Sequence, residues 1–222
     1  YDQIVHDVAL QNLHVIFCLD RAGLVGDDGA THHGVFDLAF LRPIPNLTLC
    51  APADEYEMEA MLRLAATSCG PWVVRYPRGN ALGKSAQHDT TDLKRGRARV
   101  ISDRSNCEAA FLTLGTVYKN ALEARRRLEN EGLTLAHYDF RFLKPLDETL
   151  LRDIASRYRY LFTVEDGVLA GGFGTAVLET LQEMGLAQMP QLYRFGIPDL
   201  FVPHGTIAQL QHDCGYSPER LA

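Results

Sequence analysis

The chain has 222 residues, enough for one or two domains of ordinary size, and 46% of them are hydrophobic, enough for a substantial core. Its 22 lysines and arginines against 28 aspartates and glutamates give a formal charge of −6, which argues against a general nucleic-acid or polyanion binder. No apolar run approaches the ~20 residues of a membrane span and no signal-peptide pattern is read, so the expectation is a cytoplasmic protein with no nucleic-acid and no membrane partner.

Taken in order, Tyr1 to Gln11 has helical spacing of Ile4, Val5 and Val8 but no N-cap before it. A chain that opens on Tyr1 inside a helix pattern is expected to be the interior of a longer protein. Val15 to Leu19 reads as a buried strand, and a long glycine-rich loop follows. Val35 to Leu41 reads as a short helix ended by Pro43 and Pro45, and Leu47 to Ala51 as the next strand. Asp54 is the expected N-cap of a helix carrying Glu55 and Glu57 in its first turn and stopped by Gly70-Pro71. Trp72 to Tyr76 is a third strand. This β-α-β-α-β order implies a parallel sheet.

Ala81 to Arg97 is polar and aperiodic, and is read as a linker between domains at 1–80 and 98–222. In the second domain, Ala98 to Ile101, Ala109 to Leu114, Thr134 to Asp139, Tyr160 to Val164 and Gln191 to Phe195 read as strands. Helices are expected at Thr116 to Glu131, from an Asp147 cap through Arg157, at Gly172 to Met184, Thr206 to His212 and Ser217 to Leu221. The five cysteines, Cys18, Cys50, Cys69, Cys107 and Cys214, are scattered without a CxxC pair. They are expected to be reduced core residues, with Cys18 and Cys50 in apolar, strand-like runs.

Chemistry concentrates in Leu19 to Phe36, LDRAGLVGDDGATHHGVF, with four glycines, three acidic residues, one arginine and two adjacent histidines. It sits at the C-terminal edge of a strand, where open α/β sheets bind ligands. A loop of more than about 12 residues without its own secondary structure is usually functional or disordered. His32 can donate and accept protons near neutral pH, and Asp28 can orient it or bind substrate hydroxyls; both can equally be loop-stabilising side chains. Adjacent histidines seldom point at one ion, so a metal is not expected here. Arg21 and Arg78 each follow a predicted parallel strand, and guanidinium groups at one sheet edge suit phosphate or carboxylate recognition. The alternative is two surface ion pairs, with Asp20 as a partner of Arg21. The turn EDGVLAGGFG, Glu165 to Gly174, precedes a helix but lacks the spacing of a dinucleotide or P-loop fingerprint, so tight packing is the favoured reading. The run Arg125-Arg126-Arg127 reads as a solvated helix face.

The stretches DRAGLVGDDGATHHGVFDLAFLRPIPNL, RYPRGNALG, FLKPLDE, VEDGVLAGGFGTAVLE and GIPD, in this order, resemble the 1-deoxy-D-xylulose-5-phosphate synthase family of transketolase-like enzymes over almost the whole chain. The resemblance implies an α/β chain made of the later half of a pyrimidine-binding domain, a parallel sheet with flanking helices, followed by a transketolase C-terminal α/β domain. It implies a thiamine-diphosphate-dependent transferase, with Mg2+, that condenses pyruvate with D-glyceraldehyde 3-phosphate and releases carbon dioxide. The product, 1-deoxy-D-xylulose 5-phosphate, opens the methylerythritol phosphate route to isoprenoids and feeds thiamine and pyridoxal phosphate synthesis. On the matching positions, Arg21 and Arg78 hold the acceptor phosphate, His32 is an acid/base or polar contact beside the reacting carbons, and Asp28 contacts the substrate or its adduct. His33 is given no role, and the GGFG segment is a structural turn.

The same resemblance puts the cofactor and metal groups upstream of Tyr1, so no cofactor-binding or metal-binding residue is expected in this portion. An N-terminal part of the same protein is the expected partner, covering the open sheet edge, within a homodimer. Two other readings stay open. One is the β subunit of a 2-oxo-acid dehydrogenase, which would pass its acyl group to lipoamide. The other is a non-catalytic assembly module built from the same domains.

Overall fold

The computed structural model describes residues 1–81, 83 and 88–222; positions 82 and 84–87 of the expected linker lie outside the described residues. Among the described residues, nine strands form two sheets. In the first, β1 (Ile16–Leu19), β2 (Thr48–Cys50) and β3 (Trp72–Arg75) run parallel in the order β1-β3-β2. The register pairs Leu19 with Arg75 and Cys50 with Val74, so the three strands end together. β3 is buried along its whole length, as an apolar Trp72-Val73-Val74 run in a central strand requires. The second sheet has the order β4-β6-β5-β8-β9, from β4 (Arg99–Ser102), β5 (Ala109–Thr113), β6 (Ala136–Asp139), β8 (Tyr160–Val168) and β9 (Gln191–Ile197). All its neighbours are parallel except β4, which lies antiparallel on β6 rather than beside β5, the strand that follows it in sequence.

The helices follow the sequence closely. Asp54 caps α2 (Glu55–Thr67) by accepting from the amides of Tyr56 and Glu57, and Asp147 caps α4 (Glu148–Arg157) by accepting from Leu150 N. Both caps satisfy amides that a helix start leaves unpaired. The others are α1 (Asp37–Leu41), α3 (Tyr118–Asn130), α5 (Phe173–Glu183), α6 (Ile207–Asp213) and α7 (Pro218–Leu221).

Four details differ from the sequence reading. The N-terminal helix narrows to Ile4–Ala9 and is wider than an α-helix, with Leu10 N bonded to Val5 O at 2.9 Å; only Ala9 of this segment is buried, so little packing selects the ordinary pitch. A ninth strand, β7 (Phe142–Lys144), was not legible, and it lies antiparallel on β2, in the first sheet. Of the cysteines only Cys50 is buried: Cys18 is exposed on the edge strand β1, Cys69 is exposed in the turn after α2, and Cys107 and Cys214 are half-buried. Of the three consecutive arginines only Arg126 and Arg127 are solvated; Arg125 turns inward beside Glu129.

β7 adds a strand from the C-terminal half of the chain to the first sheet, and the core joins the two sheets by packing. One apolar cluster runs from Leu38, Leu41, Leu47 and Leu49 through Ala110, Leu112, Tyr138 and Phe140 to Ile154, Phe173 and Val177. A second, on the other side of the five-stranded sheet, holds Phe111, Val164, Ile197, Val202, Leu210 and Tyr216. Leu24 and Val35, from the glycine-rich loop, belong to this second cluster. The loop therefore starts at the first sheet and is packed against the second.

Candidate functional site

The site forms at the common C-terminal edge of β1 and β3. Beyond β1 the chain turns at Arg21, whose φ of +58° is in the left-handed region that non-glycine residues seldom adopt. Ala22 N then donates to Tyr76 O at 3.0 Å, holding the two strand exits side by side. Gly23 and Gly34 exchange two backbone hydrogen bonds, of 2.7 and 2.9 Å, and close residues 24–33 into a loop with a narrow neck. A Cβ on Gly34 would come 2.2 Å from Arg21 O, and one on Gly23 would come 2.6 Å from an Asp166 carboxylate oxygen, so this neck admits only glycine.

Beneath the neck lies Arg75, the last residue of β3, with 2% of its surface exposed. Its Nε donates to Asp37 at 2.7 Å, its Nη1 to Asp166 at 2.5 Å and its Nη2 to Gly34 O at 3.3 Å. Burial works against the guanidinium charge, and the Asp166 and Asp37 carboxylates more than offset it, raising the pKa. One side chain thus ties the loop neck, the start of α1 and strand β8 together. Sequence reasoning missed Arg75, Asp37 and Asp166; the only signal was a charged residue at the end of an otherwise apolar strand.

The four residues singled out from the sequence all lie on this edge. Arg78 donates from Nη1 to Asp28 at 2.6 Å, so the structure brings together two of them that stand fifty positions apart. Arg21 pairs with its neighbour Asp20, as the surface-pair alternative foresaw, and its side chain is half exposed. His32 is exposed, with its Nδ1 2.9 Å from Thr31 Oγ1 and its backbone amide on Gly29 O at 3.0 Å. His33 turns the other way and is 8% exposed. Its Nδ1 accepts from Val25 N at 3.1 Å, which leaves the ring hydrogen on Nε2, 3.3 Å from Pro203 O.

The arrangement offers two guanidinium groups, a carboxylate and an imidazole on one accessible edge. That set can bind a phosphate or carboxylate and move a proton nearby. Glu165 accounts for the glycine-rich turn: its carboxylate accepts from Phe173 N at 2.7 Å and Gly174 N at 2.8 Å, so the anion position at the start of α5 is filled by the chain itself. Burial pushes its pKa up to about 7, against the two amides, which lower it. Among the described residues no group of three or more His, Cys, Asp or Glu side chains is arranged to hold a metal ion, and no helix is long and apolar enough to cross a membrane.

Comparison with known proteins agrees with this architecture. Residues 1–83 match the model of the transketolase pyrimidine-binding domain and residues 96–221 that of the transketolase C-terminal domain. The chain is 46% identical, over its whole length, to a 1-deoxy-D-xylulose-5-phosphate synthase of Bacteroides fragilis, and 45% identical to that of Parabacteroides distasonis. It covers 34% and 35% of those proteins, so it spans about a third of the length of the curated relatives it matches. Among solved structures, one described as a split gene transketolase, inactive beta4 tetramer, superposes with a TM-score of 0.85 at 28% identity, covering 99% of this chain and 68% of that one. A transketolase from Campylobacter jejuni shares the fold at 19% identity, with a TM-score of 0.70 over 93% of this chain and 30% of that one. The chain belongs to the transketolase family and carries its pyrimidine-binding domain followed by its C-terminal domain.

Proposed function

We propose that this chain is the C-terminal portion of a 1-deoxy-D-xylulose-5-phosphate synthase, a thiamine-diphosphate-dependent transferase that converts pyruvate and D-glyceraldehyde 3-phosphate to 1-deoxy-D-xylulose 5-phosphate and carbon dioxide. The observation that carries the reading is the position of Arg21 and Arg78 at the exits of adjacent parallel strands, with the Asp28 and His32 loop beside them. Relatives of that name, similar over the entire chain, support it.

In this reading the two guanidinium groups bind the acceptor's phosphate, a doubly charged group that a planar fork recognises better than a neutral sugar. His32, exposed beside the pair, exchanges a proton with the acceptor oxygen as the new carbon–carbon bond forms. Asp28, already within the same hydrogen-bonded set, holds substrate hydroxyls. Thiamine diphosphate, when bound, supplies the nucleophilic carbon that attacks pyruvate. In this reading thiamine diphosphate and Mg2+ are held by an upstream part of the protein, and this chain supplies the acceptor side of the site. The same reading carries a homodimer of the complete protein in the bacterial cytoplasm, and the open edge of β1 as the place where the upstream part continues the sheet.

The experiment is product formation by the complete protein and by this segment alone. The complete protein is expected to make 1-deoxy-D-xylulose 5-phosphate from pyruvate and D-glyceraldehyde 3-phosphate, and the segment alone none. Transfer to lipoamide in preference to the aldehyde would identify a 2-oxo-acid dehydrogenase β subunit. No transfer to either acceptor would leave an assembly module.

A further inference from the structure

The loop that carries Asp28 and His32 rests on the C-terminal domain along one strip of backbone. His33 Nε2 donates to Pro203 O at 3.3 Å, and Gly205 N donates to Gly26 O at 3.4 Å. Gly29 sits against the Cβ of His204. The strip itself is fixed on both sides: Val202 is buried in the second core cluster, Thr206 caps α6 by accepting from Gln209 N, and Leu210 is buried behind it. On the loop side, Leu24 enters the same cluster, and His33 Nδ1 takes the Val25 amide. Among the described residues, His33 is the loop side chain that bonds both halves of this contact. Its two nitrogens face opposite ways, one an acceptor within the loop and the other a donor to the other domain.

We propose that Pro203–Gly205 is the seat of the Asp28/His32 loop, and that His33 is a positioning residue that holds the loop on that seat. The proposal rests on the reading of this loop as catalytic. It gives the C-terminal domain a part in turnover: the domain sets the height and tilt of the loop that presents Asp28 and His32 to the acceptor. A loop that loses this bond keeps its neck, because Gly23, Gly34 and Arg75 are untouched, but its tip is free to shift. A misplacement of reacting groups by about 1 Å costs on the order of a hundredfold in rate.

The test uses the complete enzyme with thiamine diphosphate and Mg2+, and reads amide hydrogen exchange over residues 24–33 together with steady-state kinetics. In the wild type the Val25 amide is expected to exchange as slowly as strand amides. His33→Ala is expected to speed exchange in 24–33 by about tenfold or more with β1 and β3 unchanged. Its kcat is expected to fall by about tenfold to a hundredfold while thiamine diphosphate affinity is kept. His33→Gln can still reach Pro203 O with an N–H, whereas His33→Asn can only replace the acceptor for Val25 N. The seat requires Gln to recover more turnover than Asn. The opposite order makes His33 a brace inside the loop and overturns the proposal, as does an alanine variant with wild-type exchange and kcat. If His33→Ala does not fold, the Gln and Asn pair still decides. If the wild type shows no turnover with pyruvate and D-glyceraldehyde 3-phosphate, the functional reading has failed, and the exchange data alone judge the seat.

Discussion

Arg75 Nη1 lies 2.5 Å from the Asp166 carboxylate, so the strand that delivers the chain to the site is tied to a residue of the other sheet 91 positions later. The pair is almost fully buried, with side-chain exposures of 1% and 9%. Removing one partner of such a pair leaves a charge uncompensated in the interior and costs about 3–5 kcal/mol. Arg75→Met is therefore expected to lower the unfolding free energy by about that amount in denaturant titration. A loss below about 1 kcal/mol, the scale of an exposed pair, would contradict the role given to it.

Arg78 is expected to act on acceptor binding. Arg78→Ala in the complete enzyme should raise the apparent KM for D-glyceraldehyde 3-phosphate by about tenfold to a hundredfold, the worth of a charge-assisted bond, and change kcat less. An unchanged KM would remove it from the phosphate site.

His32 is expected to act on turnover. His32→Ala should lower kcat by about a hundredfold or more, as loss of an acid/base group does, while thiamine diphosphate affinity holds. Collapse of cofactor affinity instead would show that its role was wrongly assigned.

The interior between the sheets makes a pH prediction. Glu57, on α2, accepts from Arg141 Nε at 2.8 Å and faces Arg99 at 3.2 Å, so the pyrimidine-binding domain is pinned to the C-terminal domain by a buried pair. Burial raises its pKa, but a His88 bond, the two arginines and the Ala53 amide outweigh burial and bring it from 4.5 down to about 2. A carboxylate held low in the folded state stabilises above its ordinary range and loses that stability as pH falls from there through its folded value. Glu57→Gln should lower stability at neutral pH and flatten the decline in chemical denaturation between about pH 4.5 and pH 2. Asp139, fully buried in the same place, is shifted upward by burial and by Glu57, so it works with the opposite sign. Asp139→Asn should therefore cost less stability at neutral pH than Glu57→Gln; a larger loss would contradict that sign.

The sequence made these results legible to different depths. The caps Asp54 and Asp147 were readable because an N-cap is a local device, settled within four residues. Arg21, Asp28, His32 and Arg78 could be singled out as candidates because strand ends, glycines and polar side chains cluster in two short stretches, and the structure places all four on one edge. The Arg78–Asp28 contact itself was not, since it depends on how the loop folds back over the edge. The Arg75, Asp37 and Asp166 set was invisible for a stronger reason: its members lie in three segments far apart in sequence, and burial of charge is specified only by their meeting. β7 escaped because three residues show no period, and its partner β2 lies in the other domain. His33 shared its neighbour's chemistry in sequence; one step along the loop sends one ring outward and the other inward.

The most direct test of the central claim, that this edge holds a phosphorylated aldehyde acceptor, compares D-glyceraldehyde 3-phosphate with D-glyceraldehyde in acceptor-dependent release of carbon dioxide from pyruvate by the complete enzyme. The account predicts a kcat/KM for the phosphorylated acceptor about a hundredfold or more above that for the neutral one, with most of the advantage gone when Arg21 and Arg78 are both alanine. Equal use of the two acceptors, or a phosphate preference that survives loss of both arginines, would contradict it.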